Sequence, residues 1–157
     1  MIHFLRTFFE KVTEIPVFKK DPPPVVGTKW YTAVEQAWAD QFIQENAIGF
    51  KKQEDFYGVT LPFISLRFVS SKERAQALAT KQGDKYVVVK ISIDTTKFGF
   101  MTIDYQDVIS LLPNIMNNRQ VRRNRIDGFY VKFPYSEIFS ELILVDNHGV
   151  HSIEIIK

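Results

Sequence analysis

The chain has 157 residues, 45% of them apolar and 24% charged, with a formal net charge of +2 and no cysteine. That length supports one compact core but is short for two ordinary domains, and the near-average composition excludes a fibrous or disordered design. The small net charge excludes a general field for capturing nucleic acid or anionic lipid, and the absence of cysteine excludes disulfides, thiolate zinc sites and a cysteine nucleophile.

The opening, "MIHFLRTFFEKVTEIPVFKK", is broken by Arg6, Glu10 and Lys11 before any apolar run reaches the ~7 residues of a signal core, and nothing later approaches the ~18 of a membrane span. A soluble protein without stable membrane insertion is expected. It would be cytoplasmic or secreted without a recognisable signal peptide, with the cytoplasm preferred. Ile2, Leu5, Phe8, Phe9 and Val12 recur at helical spacing and predict an amphipathic helix over residues 2–13. "KKDPPPVVG" then interrupts regular structure, dividing residues 1–24, helix and proline-rich linker, from a domain over 25–157.

Within that domain, Thr32 and Glu35 match a capping box ahead of a helix with Val34, Ala37, Trp38, Phe42 and Ile43 on its apolar face, ending near Asn46. "FYGVTLPFISLRFV", residues 56–69, reads as one or two short strands. Ser70 and Glu73 repeat the capping-box spacing before a helix with Ala75, Leu78 and Ala79 on its narrow apolar side. Gly83 and Asp84 turn the chain into the strand "KYVVVKISID". "MTIDYQDVISLLPNIMNN" predicts a helix capped by Asp104, with Val108, Ile109 and Leu112 on one face and Pro113 ending or kinking it. The remainder reads as three strands punctuated by Pro134, Asn147 and Gly149. Strands and helices do not alternate regularly, so the expected fold is α+β: one domain with a split, mainly antiparallel β core flanked by short helices.

Common catalytic signatures are absent: there is no Walker loop, dinucleotide fingerprint, GxSxG elbow or HExxH. His148 and His151, with Asp146, have the residue types of a metal site, but solvated hairpin histidines are the plainer reading, and no metal is assigned. Arg119, Arg122, Arg123 and Arg125 lie within eight positions, as a phosphate-binding cluster or as a solvated helix end. Fourteen phenylalanines read first as core. Glu137 and Glu141 fall four apart, on one face of an extended segment but ~13 Å from each other.

The order of "WYT", then "FVSS" before a helix, then a late "FSEL" resembles the ADP-ribosyltransferase superfamily, over about residues 28–156. Members share a split antiparallel core. A first strand supplies His, Tyr or Arg, a middle strand ends in an aromatic-Ser/Thr motif, and a late strand carries a catalytic Glu. The resemblance implies NAD as substrate, with Glu141, Tyr31 and Ser70 in the catalytic roles. Glu141 would stabilise charge on the ribose, Tyr31 would hold the nicotinamide side, and Ser70 would brace the glutamate. Trp30, Phe68 and Tyr86 would supply rings for the nicotinamide, with Arg67 or Arg122 on the pyrophosphate. This chain departs from the pattern in having no His or Arg in "WYT", Val69 where an aromatic is common, and Phe139 two residues before Glu141. The acceptor would be a protein or a nucleic acid. The competing reading is a non-catalytic interaction domain that binds a protein or nucleic acid through its arginine cluster and aromatic surface.

Overall fold

A computed structural model describes residues 28–110, 117–134 and 141–157. The expected helix over 2–13, the proline linker, the break at Pro113 and residues Glu137 and Phe139 lie outside them.

The described residues form a mainly antiparallel α+β domain. Strand β1 (Lys29–Glu35) leads into helix α1 (Gln36–Glu45). Strands β2 (Gln53–Phe56), β3 (Val59–Ile64) and β4 (Leu66–Val69) precede helix α2 (Lys72–Gln82) and strand β5 (Tyr86–Ile93). Strand β6 (Phe100–Asp104) runs into the short helix α3 (Tyr105–Ser110), and α4 (Asn118–Arg123) precedes β7 (Gly128–Lys132), β8 (Glu141–Leu144) and β9 (Val150–Ile156). Seven strands make one sheet in the order β6-β7-β8-β4-β1-β5-β9, and β2 and β3 form a separate hairpin. Every pairing in the large sheet is antiparallel except β6 with β7. No helix among the described residues is long and apolar enough to cross a membrane.

Side-chain alternation sorts the core onto the two faces of this sheet. On one face α1 lays Trp38, Ala39 and Phe42 over Trp30, Phe68, Val89, Ile91, Leu142 and Leu144. The opposite face carries two patches. One is Val69 and Val88 beneath Ala75 and Ala79 of α2. The other is Ile103, Phe129, Val131 and Ile143 beneath the β2-β3 hairpin and the helices α3 and α4. β8 reads "ELIL" and is buried along its whole length, as a central strand covered on both faces must be. Its first residue, Glu141, is therefore placed between the two patches, away from water.

Several local expectations change. Thr32 does not cap α1: β1 continues to Glu35, and the Thr32 hydroxyl donates to the Arg67 carbonyl at 2.8 Å instead. Strand pairing with β5 along all seven residues of β1 outweighs the local cap. The buried side of α1 is Trp38, Ala39 and Phe42, with Ile43 45% exposed. Asn46 does end that helix, in the left-handed region at φ 51. Residues 56–69 hold the two strands β3 and β4 after the last residue of β2, in keeping with the expectation, while residues 100–104 add a strand that pairs in parallel with β7 before the helix begins.

Candidate functional site

Register brings the three motif strands together. Tyr31 on β1 lies opposite Val69 on β4, and Val69 lies opposite Glu141 on β8. Directly paired residues project from the same face, so Tyr31, Val69 and Glu141 form one row, with roughly 10 Å across two strand spacings from end to end. Arg67, two residues before Val69, shares that face.

Glu141 has no exposed surface and is the best-connected acid among the described residues. Its Oε1 accepts from Arg67 Nε, and its Oε2 accepts from the Tyr57 hydroxyl and, at 3.1 Å, from Arg74 Nη2. The Tyr57 hydroxyl also accepts from Arg67 Nη2 at 2.9 Å and Arg74 Nη2 at 3.0 Å. One donated and two accepted bonds use the whole capacity of a phenol. A buried carboxylate is tolerable only with such pairing, and the two guanidinium groups provide it. The Arg67 guanidinium further lies 4.4 Å from the Tyr57 ring centroid and 5.5 Å from that of Phe56.

The backbone explains how these groups converge. β2 and β3 are joined by two residues, Tyr57 at φ 49 and Gly58 at φ 87, the left-handed pair of a type I′ hairpin turn. Asparagine usually fills the first position, because its short polar side chain hydrogen-bonds locally, whereas other residues with a Cβ pay ~1 kcal/mol or more there. Tyr57 occupies it and carries its hydroxyl to Glu141. Burial, followed by the bond to Glu141 and that group's charge, holds the phenol above its ordinary value, so Tyr57 donates as the neutral form. Arg74 sits in the first turn of α2. Burial lowers its proton affinity, but the Tyr57 bond and the Glu141 charge outweigh that and leave it raised.

A second carboxyl stands nearby. Glu54 Oε1 accepts from the Arg67 backbone N–H at 3.1 Å, and burial raises it above the usual value despite that bond and the charge of Lys52. Tyr57 also contacts Tyr105 and Phe133, at ring-centroid distances of 5.4 and 5.9 Å. Those two rings line a cavity of about 250 Å3 shared with Asp104, Gln106, Lys132 and Pro134. The site thus combines an enclosed carboxylate, two guanidinium groups and a wall of three aromatic rings.

Of the residues expected from sequence, Arg67 and Glu141 meet and Tyr31 lies in their row. Ser70 does not brace Glu141. The cap of α2 is Ser71, whose Oγ accepts from the Arg74 N–H at 3.2 Å, and Ser70 has no side-chain hydrogen bond among the described residues. Trp30 and Phe68 have no exposed surface and belong to the opposite face of the sheet, so neither can stack on a ligand beside Glu141. Tyr86 shares a face with Tyr31 but is opposite Glu35, while Tyr31 is opposite Lys90. Four residues of strand, ~13 Å, separate the two rings' attachment points, which is too far for a sandwich. Arg122 lines a different cavity, with Lys97, Arg125 and His148. His148 and His151 diverge, His151 lining a hollow with Asn46 and Asn147, and no group of three metal-ligating side chains occurs among the described residues. Sequence reading missed Tyr57, Arg74 and Glu54. The one visible signal was a tyrosine standing before Gly58 at a hairpin. Compared with protein families, curated proteins and solved structures, the chain matches none.

Proposed function

We propose that the chain is an NAD-dependent ADP-ribosyltransferase-like protein that cleaves the nicotinamide-ribose bond beside Glu141 and transfers ADP-ribose to a protein or nucleic-acid acceptor. The observation that carries this reading is the row Tyr31, Val69, Glu141 on three adjacent strands. It juxtaposes the three segments whose order resembles that superfamily. As the bond between nicotinamide and C1′ breaks, its electron pair leaves with the nicotinamide and positive charge develops on the ribose. A carboxylate held in a water-poor site favours that state over the ground state. The acceptor then bonds to C1′ and releases a proton.

Glu141 Oε2 is the oxygen able to open toward substrate, because its partners Tyr57 and Arg74 stand at the surface while Oε1 is held by the less exposed Arg67. A dinucleotide pyrophosphate drawing Arg74 away would free Oε2 for a ribose hydroxyl. The cavity beside Tyr105 and Phe133 has room for a single ring but is below the ~300 Å3 lower end of drug-sized sites, so the adenosine half would lie outside it. The cytoplasm suits a chain built without disulfides.

A thermal-shift titration of the full chain with NAD tests this reading. Free NAD at a hundred times its dissociation constant should add ~2.7 kcal/mol of stability. Absence of any shift up to millimolar NAD contradicts the proposal. The closure of Glu141 on both oxygens favours a second reading, a non-catalytic domain binding a protein or nucleic-acid partner, and a melt shifted by RNA but not by NAD would select it.

A further inference from the structure

Three cations converge on a cavity remote from Glu141. About 370 Å3 in volume, it is lined by Lys97, Arg122, Arg125 and His148, with Asp127 and Asp146. It lies where β7 begins. Gly128 there is opposite Leu144, whereas Val131 is opposite Glu141, three residues or ~10 Å along the strand.

The two carboxylates offset part of the positive charge, but neither forms an ion pair with the lysine or the arginines. Asp127, only 6% exposed, uses Oδ2 to accept from the Gly99 N–H at 2.6 Å and from His148 Nδ1 at 3.0 Å. Asp146 Oδ1 accepts from the His148 backbone N–H at 2.9 Å. Among the described residues Lys97, Arg122 and Arg125 have no ion-pair partner. The cavity is net positive even with His148 neutral.

Its backbone is also held in an unusual way. Arg125 is left-handed at φ 54, a conformation that costs a side-chain-bearing residue ~1 kcal/mol or more. A Cβ on Gly99 would lie 2.6 Å from the Arg125 carbonyl oxygen and 3.2 Å from Asp127 Oδ2, so the close approach that shapes this wall requires glycine.

We propose that this cavity binds the phosphate group of a small phosphorylated ligand. Guanidinium groups pair with phosphate oxygens through two parallel N–H bonds, and Lys97 adds a point charge. The volume lies within the ~300–1,000 Å3 of ordinary ligand sites, enough for a phosphate and the sugar or alcohol esterified to it. Among the described residues no phenylalanine, tyrosine or tryptophan lines the cavity, so recognition rests on the phosphate more than on base stacking. The assignment is independent of the NAD reading, since none of its groups belongs to the Glu141 network.

Isothermal titration of the full chain at low salt with inorganic phosphate, AMP and adenosine tests it. Saturable binding of phosphate or AMP, no binding of adenosine, and at least tenfold weakening in the double variant Arg122→Gln, Arg125→Gln are expected. Both side chains are exposed, so that variant should keep the native circular dichroism spectrum. Tighter AMP than phosphate identifies a phosphate monoester, and equal affinities identify the free anion. Failure of both anions to bind, unchanged affinity in the double variant, or binding of a short RNA where AMP does not bind overturns the proposal.

Discussion

The Tyr57 hydroxyl and the Glu141 carboxylate, 84 positions apart in the chain, are joined by a hydrogen bond that ties a hairpin turn to a buried strand. Tyr57→Phe keeps the ring contacts and removes only that group. Glu141 loses a donor, and Arg67 and Arg74 each lose an acceptor. Bonds to charged groups contribute ~1.5–3 kcal/mol, and the partly exposed tyrosine belongs at the lower end, so the expected loss is about 1.5 kcal/mol by urea denaturation. A loss below the error of that measurement would mean that water replaces the hydroxyl without cost.

The left-handed backbone at Tyr57 makes a separate prediction. Tyr57→Asn and Tyr57→Ala both delete the phenol, but asparagine tolerates φ 49 and alanine does not. The asparagine variant should be the more stable by about 1 kcal/mol in the same denaturation series. Equal stabilities would show that the turn relaxes out of that conformation.

Glu141 and Arg67 should behave as one unit. Truncating one partner of a buried pair costs ~3–5 kcal/mol, largely because the other charge is left uncompensated. Arg67 retains some solvent contact, so about 3 kcal/mol is expected for Glu141→Ala. The double variant Arg67→Ala, Glu141→Ala should cost less than the two single changes together, with a coupling of ~1–3 kcal/mol. Strict additivity in that cycle would refute the pairing.

Glu54 supplies the pH dependence. Burial raises its folded value above the usual 4.5, opposed by the Arg67 N–H bond and the charge of Lys52. A raised carboxyl contributes stability fully present below its unfolded value and lost as pH rises through the folded one. Glu54→Gln removes that titration while its amide oxygen still accepts from Arg67. The melting temperature of the variant relative to wild type should therefore rise between pH 4 and pH 7. A difference that is flat, or that falls, across this window contradicts the assignment.

Much of the fold was legible because it rests on patterns a single sequence carries. The alternation in "KYVVVKISID", the Asn46 stop and the three late strands all appear where periodicity and turn residues place them. The errors come from pairing partners distant in sequence. Thr32 and residues 100–104 were drawn into strands by β5 and β7, and no local cap signal records that competition. For the site, Glu141 and Arg67 were singled out through the resemblance of their segments to the superfamily's motifs. Tyr57 and Arg74 reach the same carboxylate from a turn and a helix, and only the packing of hairpin and α2 against one sheet face brings them there. Trp30 and Phe68 failed as ligand rings for the simplest reason: one step along a strand reverses the face.

The most direct measurement of the central claim is nicotinamide release from NAD by the wild-type chain and by Glu141→Gln, both shown folded by circular dichroism. Loss of a charge-stabilising group in such a site costs ~100-fold or more in turnover. The account predicts measurable release by wild type and a drop of at least that size in the variant. Equal release by the two proteins, or none by wild type at saturating NAD, would contradict it.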